Sequence, residues 1–101
     1  MSAKNNKKYT VVSKSTGKKI TFMLSAPDAR KVTLAGTFND WSSESAPLKR
    51  GKDNIWKRQV ALRPGRYEYK FIVDGDWWND PNNSNLSWND MGSQNSVIEI
   101  Q

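Results

Sequence analysis

The sequence predicts an all-β domain, because short alternating segments recur between turn signals and no segment holds a helical period. The chain has 101 residues, enough for one domain but far fewer than the roughly 250 of a (β/α)₈ barrel. Gly, Pro or Asn interrupts every candidate helix. Strands separated by turns about every 8–12 residues are typical of an all-β sandwich or barrel.

Five strands can be assigned in chain order from their apolar alternation. They are Lys19–Ser25, Lys31–Phe38, Ile55–Leu62, Arg66–Val73 and Val97–Ile100. The first stops before the turn cluster Ala26-Pro27-Asp28. The segments 39–54 and 79–94 are rich in Asn, Asp, Ser, Gly and Pro and are predicted to be loops.

Two turn signals bracket the strand with the clearest alternation. Arg63-Pro64-Gly65-Arg66 has the chemistry of a type II turn, which needs a positive φ at the glycine. Asp74-Gly75-Asp76 predicts a second tight turn. Between them, Tyr67, Tyr69, Phe71 and Val73 alternate with Glu68, Lys70 and Ile72. Lys70 is therefore expected to project away from the core.

Composition leaves few catalytic options. The chain has no Cys and no His, which excludes disulfides, thiol nucleophiles, zinc fingers and Ser-His-Asp triads. Asp74, Asp76 and Asp80 cluster near Trp77 and Trp78, but aspartates beside a glycine are favoured by turns. Their spacing is not that of an EF-hand loop. We predict no enzyme activity, no metal and no cofactor.

The positive charge of the chain comes from its N-terminal third. The net charge is +6, but residues 1–31 carry eight Lys or Arg and one Asp, a net of +7. Residues 1–14 are expected to be a basic, solvated leader before a domain at 15–101. The leader has neither the aromatic interleaving of single-strand binders nor an amphipathic period, so neither nucleic acid nor membrane is predicted as a partner. No targeting segment is visible, which favours a cytoplasmic protein.

The tryptophans favour a binding function. Trp56 lies on the apolar face of a predicted strand and is expected in the core, whereas four others fall at loops or turns: Trp41, Trp77, Trp78 and Trp88. Trp77 and Trp78 are adjacent, so in an extended chain they point to opposite faces and one is expected to be exposed. An exposed indole stacks on the apolar face of a sugar ring, but also on a nucleobase, so the tryptophans alone leave both ligands open.

Three ordered motifs resemble the family 48 carbohydrate-binding modules. They are G-x-F-N-x-W at 36–41, Y-x-Y-K-F-x-V-D-G-x-W at 67–77 and Asp80-Pro81. This family includes the glycogen-binding domain of the β subunit of AMP-activated protein kinase and N-terminal domains of glycogen branching and debranching enzymes. The resemblance extends over residues 18–101. It implies an immunoglobulin-like β-sandwich of about 7–8 short antiparallel strands that binds α-1,4-linked glucans such as glycogen, starch or maltodextrin.

The resemblance also implies a set of sugar-binding residues. Trp41 and Trp77 match the two platform tryptophans, Lys70 and Asn95 match residues that bond sugar hydroxyls, and Ser93 matches a neighbouring hydroxyl residue. Met91 stands where the family pattern has Leu, a swap that conserves volume. Trp78 is an additional aromatic that could extend the platform or pack beneath the long loop, and Trp88 matches no position of the pattern.

Two other functions remain open at the level of sequence. The same fold could serve as a protein-interaction or scaffold module that docks a glucan-metabolising enzyme or a kinase subunit. A single-strand nucleic-acid binder, using the leader and the Trp-bearing loops, is the third hypothesis.

Overall fold

The computed structural model describes residues 17–101, in which the chain forms eight strands and one short 3₁₀ turn. The whole predicted leader, residues 1–14, and the first two residues of the predicted domain lie outside the described residues. The strands are β1 (Lys18–Ser25), β2 (Val32–Gly36), β3 (Lys49–Arg50), β4 (Ile55–Leu62), β5 (Gly65–Val73), β6 (Asp76–Trp78), β7 (Leu86–Trp88) and β8 (Gln94–Ile100). None of these residues forms a helix long and apolar enough to cross a membrane.

The strands form two antiparallel sheets, which confirms the predicted all-β sandwich. The smaller sheet has the order β1-β4-β3. The larger has the order β2-β5-β8-β7, and β6 also pairs with β5. Because β8 and β6 pair with different halves of the same side of β5, both β6 and β7 lie at a free edge of this sheet.

The core lies between the two sheets and is built by alternation. On β5, Tyr69 and Phe71 are buried against Phe22 and Leu24 of β1. The Phe22 and Tyr69 rings meet edge to face, with 5.0 Å between their centroids. Trp56 is buried as predicted, and its indole Nε1 donates a 2.9 Å hydrogen bond to the Ala26 carbonyl. The buried indole thus keeps its polar atom paired.

The observed strands differ most from the predicted ones where backbone pairing defines a strand that has no clear apolar alternation. β4 has the predicted bounds, and β8 begins at Gln94, three residues before the prediction. β2 ends at Gly36, two residues short, because 37–39 folds into the 3₁₀ turn. β3 and β7 lie within predicted loops and have two and three residues. Strands that short carry too few residues to display an alternation.

The predicted turn at Asp74-Gly75 is present, whereas the backbone at Gly65 differs from the predicted type II turn. Asp74 and Gly75 join β5 to β6 with φ of 50° and 91°, the positive values of a type I′ hairpin. The Asp74 carboxylate accepts hydrogen bonds from the backbone N–H of Arg30 and Lys31, at 3.0 and 2.8 Å. This confirms a structural role for Asp74. Gly65 has the positive φ that was predicted, but its value of 152° is far from the roughly 80° of a type II turn, and the residue begins β5.

Candidate functional site

An open depression of about 730 Å³ lies on the outer face of the five-stranded sheet. Six of its lining residues are those that the sequence singled out: Trp41, Lys70, Trp77, Met91, Ser93 and Asn95. Trp78 does not line it. The structure therefore brings together six side chains that are spread over 55 positions of the chain.

Strand register explains why three of these side chains share one face. Lys70 and Ile72 alternate with the core residues of β5, so they point outward, and Trp77 pairs directly with Ile72. β8 pairs with β5 up to Tyr69, and β6 pairs with it from Phe71 onward. Lys70 consequently lies where β8 leaves β5 and β6 begins.

The loop after β2 holds Trp41 beside Trp77. The Asn39 side chain accepts a 3.0 Å hydrogen bond from the Gly36 N–H and donates to the Leu34 carbonyl at 3.1 Å. The Trp41 N–H then donates to the Gly36 carbonyl at 2.9 Å. The Trp41 and Trp77 ring centroids lie 6.5 Å apart, with the ring planes tilted by 47°. The two indoles form an angled apolar wall rather than a flat stack.

The backbone of this loop is unusual in a way that favours a function. Asp40 and Trp41 have φ of 54° and 58°, in a left-handed region that bulky residues rarely adopt. Such conformations concentrate at binding and catalytic sites, where the surrounding structure imposes them. Gly36, at the start of the loop, has extended backbone, but a Cβ there would lie 2.5 Å from the Glu68 carbonyl oxygen. The chain needs glycine here for a close approach to β5.

Asn89 organises the opposite wall of the depression. Its side-chain oxygen accepts hydrogen bonds from the N–H groups of Met91 and Ser93 at 2.9 and 3.1 Å. Its backbone N–H donates to the Ser93 carbonyl at 2.9 Å. The resulting turn places Met91 at its tip, where the side chain is 91% exposed. Met91 is exposed because it lies at the tip of a surface turn, where other side chains do not cover it.

A chain of polar contacts forms the floor of the depression. The Asn89 amide nitrogen donates to Ser93 Oγ at 2.8 Å and to Asn95 Oδ1 at 3.0 Å. Asn95 Nδ2 in turn donates to Glu68 Oε1 at 3.0 Å. Lys70 Nζ donates to Ser93 Oγ at 3.5 Å, a length typical of a weak contact. The lysine is thus loosely held, whereas the Asn95 amide is fixed in orientation.

Glu68 completes this floor as a carboxylate. Arg66 donates to its Oε2 at 2.7 Å, while Asn95 donates to its other oxygen. The hydrogen bond from Asn95, followed by that from Arg66, lowers the pKa of Glu68 below its ordinary value. Because both carboxylate oxygens already accept hydrogen bonds, Glu68 serves to hold Asn95 in place.

Four lining residues were missed by the sequence reasoning: Thr37, Glu68, Asn89 and Asp90. For Glu68 a signal was present, because it precedes Lys70 by two positions in an alternating strand and so shares its face. For Asn89 the signal was weak, since asparagine recurs throughout the segment 79–94. Its role depends on a turn that local composition does not specify.

The chemistry of the depression suits a neutral ligand with one apolar and one polar side. Two indoles and the Met91 side chain provide apolar surface, while Lys70, Ser93 and Asn95 offer hydrogen-bonding groups. Among residues 17–101, no group of three or more His, Cys, Asp or Glu side chains is placed to hold a metal ion.

Sequence comparison places this geometry in a known family. The profile described as "Glycogen recognition site of AMP-activated protein kinase" matches residues 18–101, which include every lining residue of the depression. The chain belongs to this family. The resemblance to glycogen-binding carbohydrate-binding modules is thereby confirmed, and the matched segment coincides with the two sheets.

Relatives of this glycogen-recognition domain occur in plants and animals. The chain is 39% identical over 72 residues to protein FLOURY ENDOSPERM 6, chloroplastic, of Oryza sativa subsp. japonica. It is 42% identical over 53 residues to protein PTST homolog 2, chloroplastic, of Arabidopsis thaliana. It is 35% identical over 72 residues to 5'-AMP-activated protein kinase subunit beta-1 of Sus scrofa.

The chain spans only part of each of these relatives. The aligned segments cover 71%, 52% and 71% of this chain, in the same order, but 13%, 10% and 56% of the relatives. The similarity therefore concerns one domain and not the whole of any relative.

Proposed function

We propose that this domain binds α-1,4-linked glucans at the depression and carries out no catalysis there. The observation that carries the proposal is the angled pair of indoles, Trp41 and Trp77, facing a floor of fixed polar groups. The pyranose rings of a glucan present apolar C–H faces and equatorial hydroxyls, which match these two kinds of surface.

Each of the remaining residues has a distinct role in the proposed site. Lys70, held only by a 3.5 Å contact, is available to donate to a sugar hydroxyl. Asn95 has one amide hydrogen bonded to Glu68 and its oxygen bonded to Asn89, and its second N–H is the group we assign to the ligand. Ser93 adds a hydroxyl, and the exposed Met91 adds apolar contact from the turn tip.

The hydrogen bonds of Glu68, Asp74 and Asp80 support the absence of catalysis in this proposal. Glu68 accepts hydrogen bonds on both oxygens. Asp80 accepts from the Tyr69 hydroxyl at 2.7 Å, and Asp74 accepts from backbone N–H groups. A glycosidase needs a carboxylic acid with a raised pKa beside a second free carboxylate, whereas the pKa of Glu68 is lowered.

A protein partner is a further element of the proposal. One relative is named as a subunit of a kinase, so a kinase subunit or a glucan-metabolising enzyme is the kind of partner we propose. Two relatives are named as chloroplastic proteins. The cytoplasmic location favoured by the sequence therefore stays a prediction.

Native electrophoresis in gels that contain glycogen tests glucan binding. We expect glycogen to retard the wild-type chain strongly and Trp41→Ala/Trp77→Ala much less, because each stacked ring contributes about 1–3 kcal/mol. Met23→Ala is the matched control, since Met23 is 44% exposed and lies on the other sheet. Equal retardation of the wild type and the double variant would contradict the proposed site.

Salt dependence separates this function from nucleic-acid binding. Sugar stacking should be nearly unchanged between about 50 and 200 mM salt, whereas contacts to phosphates weaken steeply over that range. A steep loss of glycogen retardation with salt would therefore argue against neutral glucan as the ligand.

A further inference from the structure

Three large apolar side chains of the larger sheet remain exposed outside the depression. Trp78 is 41% exposed, Leu86 is 43% exposed and Trp88 is 71% exposed. All three lie on β6 and β7, the two strands at the free edge of the larger sheet. The proposed site uses none of them.

Strand register shows that Trp78 faces away from the depression. It pairs with Phe71, whose side chain is fully buried in the core, so Trp78 lies on the core-facing side of the sheet. Its neighbour Trp77 pairs with Ile72 and lies on the outer side. One edge strand thus carries an indole on each of its two faces.

Leu86 and Trp88 lie on the same side as Trp78. Leu86 pairs with Ser96, which itself pairs with the buried Tyr69, and Trp88 lies two residues further along β7. Residues separated by two positions in a strand share a face. The core cluster contains residues from β5 and β8 but none from β6 or β7. These three side chains therefore extend beyond the part of the sheet that packs into the core.

The segment that carries this surface is polar and lacks positive charge. No Lys or Arg occurs anywhere in residues 71–101. Between Trp78 and Trp88 the single charged residue is Asp80, which is engaged by Tyr69 and by the Asn82 N–H at 2.9 Å. The exposed residues of the segment between the two tryptophans include Asn82 and Asn85. Amides and indoles without cations suit a neutral polyhydroxylated ligand and disfavour phosphate or nucleic acid.

We propose that Trp78, Leu86 and Trp88 form a second glucan-contact surface, here termed the reverse surface. This inference rests on the proposed function, because the occupant we assign is a further segment of the same α-glucan. Continuity supports that assignment: Trp77 and Trp78 are consecutive, so a polymer that crosses the free edge of β6 meets one indole on each side.

Polymer length should then determine which surfaces are used. A short oligosaccharide fills the depression and contacts the reverse surface independently and weakly. A long or branched glucan engages both at once, and the second contact gains from the high effective concentration of a tethered ligand. The reverse surface is expected to matter for glycogen far more than for a heptasaccharide.

Indole N–H resonances provide a direct test of contact. The variant Trp41→Ala/Trp77→Ala retains three tryptophans, Trp56, Trp78 and Trp88. On titration with maltoheptaose we expect the Trp78 and Trp88 resonances to shift. That of Trp56 should stay fixed, because its Nε1 is bonded to Ala26 in the core. If neither the Trp78 nor the Trp88 resonance moves, the reverse surface is not a glucan contact.

Affinity measurements test the consequence for polymers. With the depression intact, Trp88→Ala and Trp78→Ala/Trp88→Ala should leave maltoheptaose affinity within about twofold and weaken the apparent affinity for glycogen about tenfold. Trp88→Ala is informative on its own, because a side chain that is 71% exposed contributes little to folding. Met23→Ala is again the control.

The possible outcomes separate the two proposals. If Trp78→Ala/Trp88→Ala binds glycogen like the wild type while Trp41→Ala/Trp77→Ala does not, the reverse surface is refuted and the proposed function stands. If wild type binds neither ligand, both proposals are wrong. If the two indole resonances respond to protein concentration and not to maltoheptaose, a second copy of the chain covers the surface, and the glucan assignment is overturned.

Discussion

The outer faces of the two sheets are both open to solvent, yet they are organised differently. On the larger sheet, Glu68 and Asn95 lie on neighbouring strands and are joined by a 3.0 Å hydrogen bond. On the smaller sheet, Lys57 of β4 pairs with Met23 of β1 on one side and with Lys49 of β3 on the other. Directly opposed like charges are unfavourable, and here they are offset by water, which screens exposed charges, and by a 3.6 Å ion pair between Lys57 and Asp53.

The flanking loops account for much of this difference. On the larger sheet, segments 37–41 and 89–93 rise on either side of β5 and β8 and line the depression. On the smaller sheet, β3 and β4 are joined by a tight turn at 51–54, closed by a 2.9 Å hydrogen bond from the Gly51 N–H to the Ile55 carbonyl. An exposed strand face becomes a candidate site when loops give it depth and fixed partners orient its polar atoms.

Breaking the loop that carries Trp41 should have the largest effect. In Gly36→Ala the new Cβ would lie 2.5 Å from the Glu68 carbonyl and 2.7 Å from the Phe38 ring. Because a backbone atom cannot move aside cheaply, we expect the free energy of unfolding to fall by about 3 kcal/mol, measured by urea denaturation.

Gly51→Ala on the smaller sheet is the matched control for this change. There the nearest atom is Asp53 Oδ1 at 2.9 Å, which belongs to a side chain that can rotate. We expect a loss below about 1 kcal/mol. Equal losses in the two variants would show that Gly36 is not constrained by its approach to β5.

Removing the organiser of the second loop should affect binding more than folding. Asn89→Ala deletes the acceptor for the Met91 and Ser93 N–H groups and the donor to Asn95. The turn that presents Met91 and Ser93 then loses its fixed geometry. We expect maltoheptaose affinity to fall about tenfold, equivalent to about 1.4 kcal/mol, as measured by intrinsic tryptophan fluorescence.

The corresponding residue on the smaller sheet is Asp53, whose carboxylate accepts a 3.0 Å hydrogen bond from the Ile55 N–H within its own turn. Asp53→Ala should leave maltoheptaose affinity unchanged, since that turn does not line the depression. If both variants lose affinity equally, the effect reflects general loosening of turns and the role assigned to Asn89 is wrong.

Local pattern was enough to predict much of this architecture. The bounds of β4, the outward direction of Lys70 and the opposed directions of Trp77 and Trp78 all follow from alternation within one segment. The Asp74-Gly75 turn follows from residue types that tolerate positive φ.

The rest depends on pairing between distant segments. Glu68 meets Asn95 because β5 pairs with β8, which are separated by 27 positions at this contact. Trp41 reaches Trp77 because the chain adopts a left-handed conformation at 40–41. Local composition specifies neither feature, because both are imposed by the surrounding structure.

The smallest expected effect concerns the charge of Glu68 and its dependence on pH. The pKa of this carboxyl is lowered, chiefly by the hydrogen bond from Asn95 and then by that from Arg66. A group with a lower pKa in the folded state stabilises the fold fully above its unfolded pKa, near 4.5, and loses that contribution as pH falls through the folded value. In Glu68→Gln the amide NH₂ group can also replace the oxygen that accepts from Arg66, and two donors would then face each other.

We therefore expect Glu68→Gln to be less stable than wild type by about 1 kcal/mol at pH 7, with the two unfolding free energies converging below pH 4. Urea denaturation between pH 3 and pH 7 measures this.

Asp53→Asn, on the exposed turn of the smaller sheet, should show the same sign, since the backbone N–H of Ile55 lowers the pKa of Asp53. Only Glu68→Gln should also weaken maltoheptaose binding, because only Glu68 orients Asn95. A Glu68→Gln curve that parallels wild type at every pH would mean that the carboxylate charge does not hold Asn95 in place, and the floor of the depression would then owe its order to Asn89 alone.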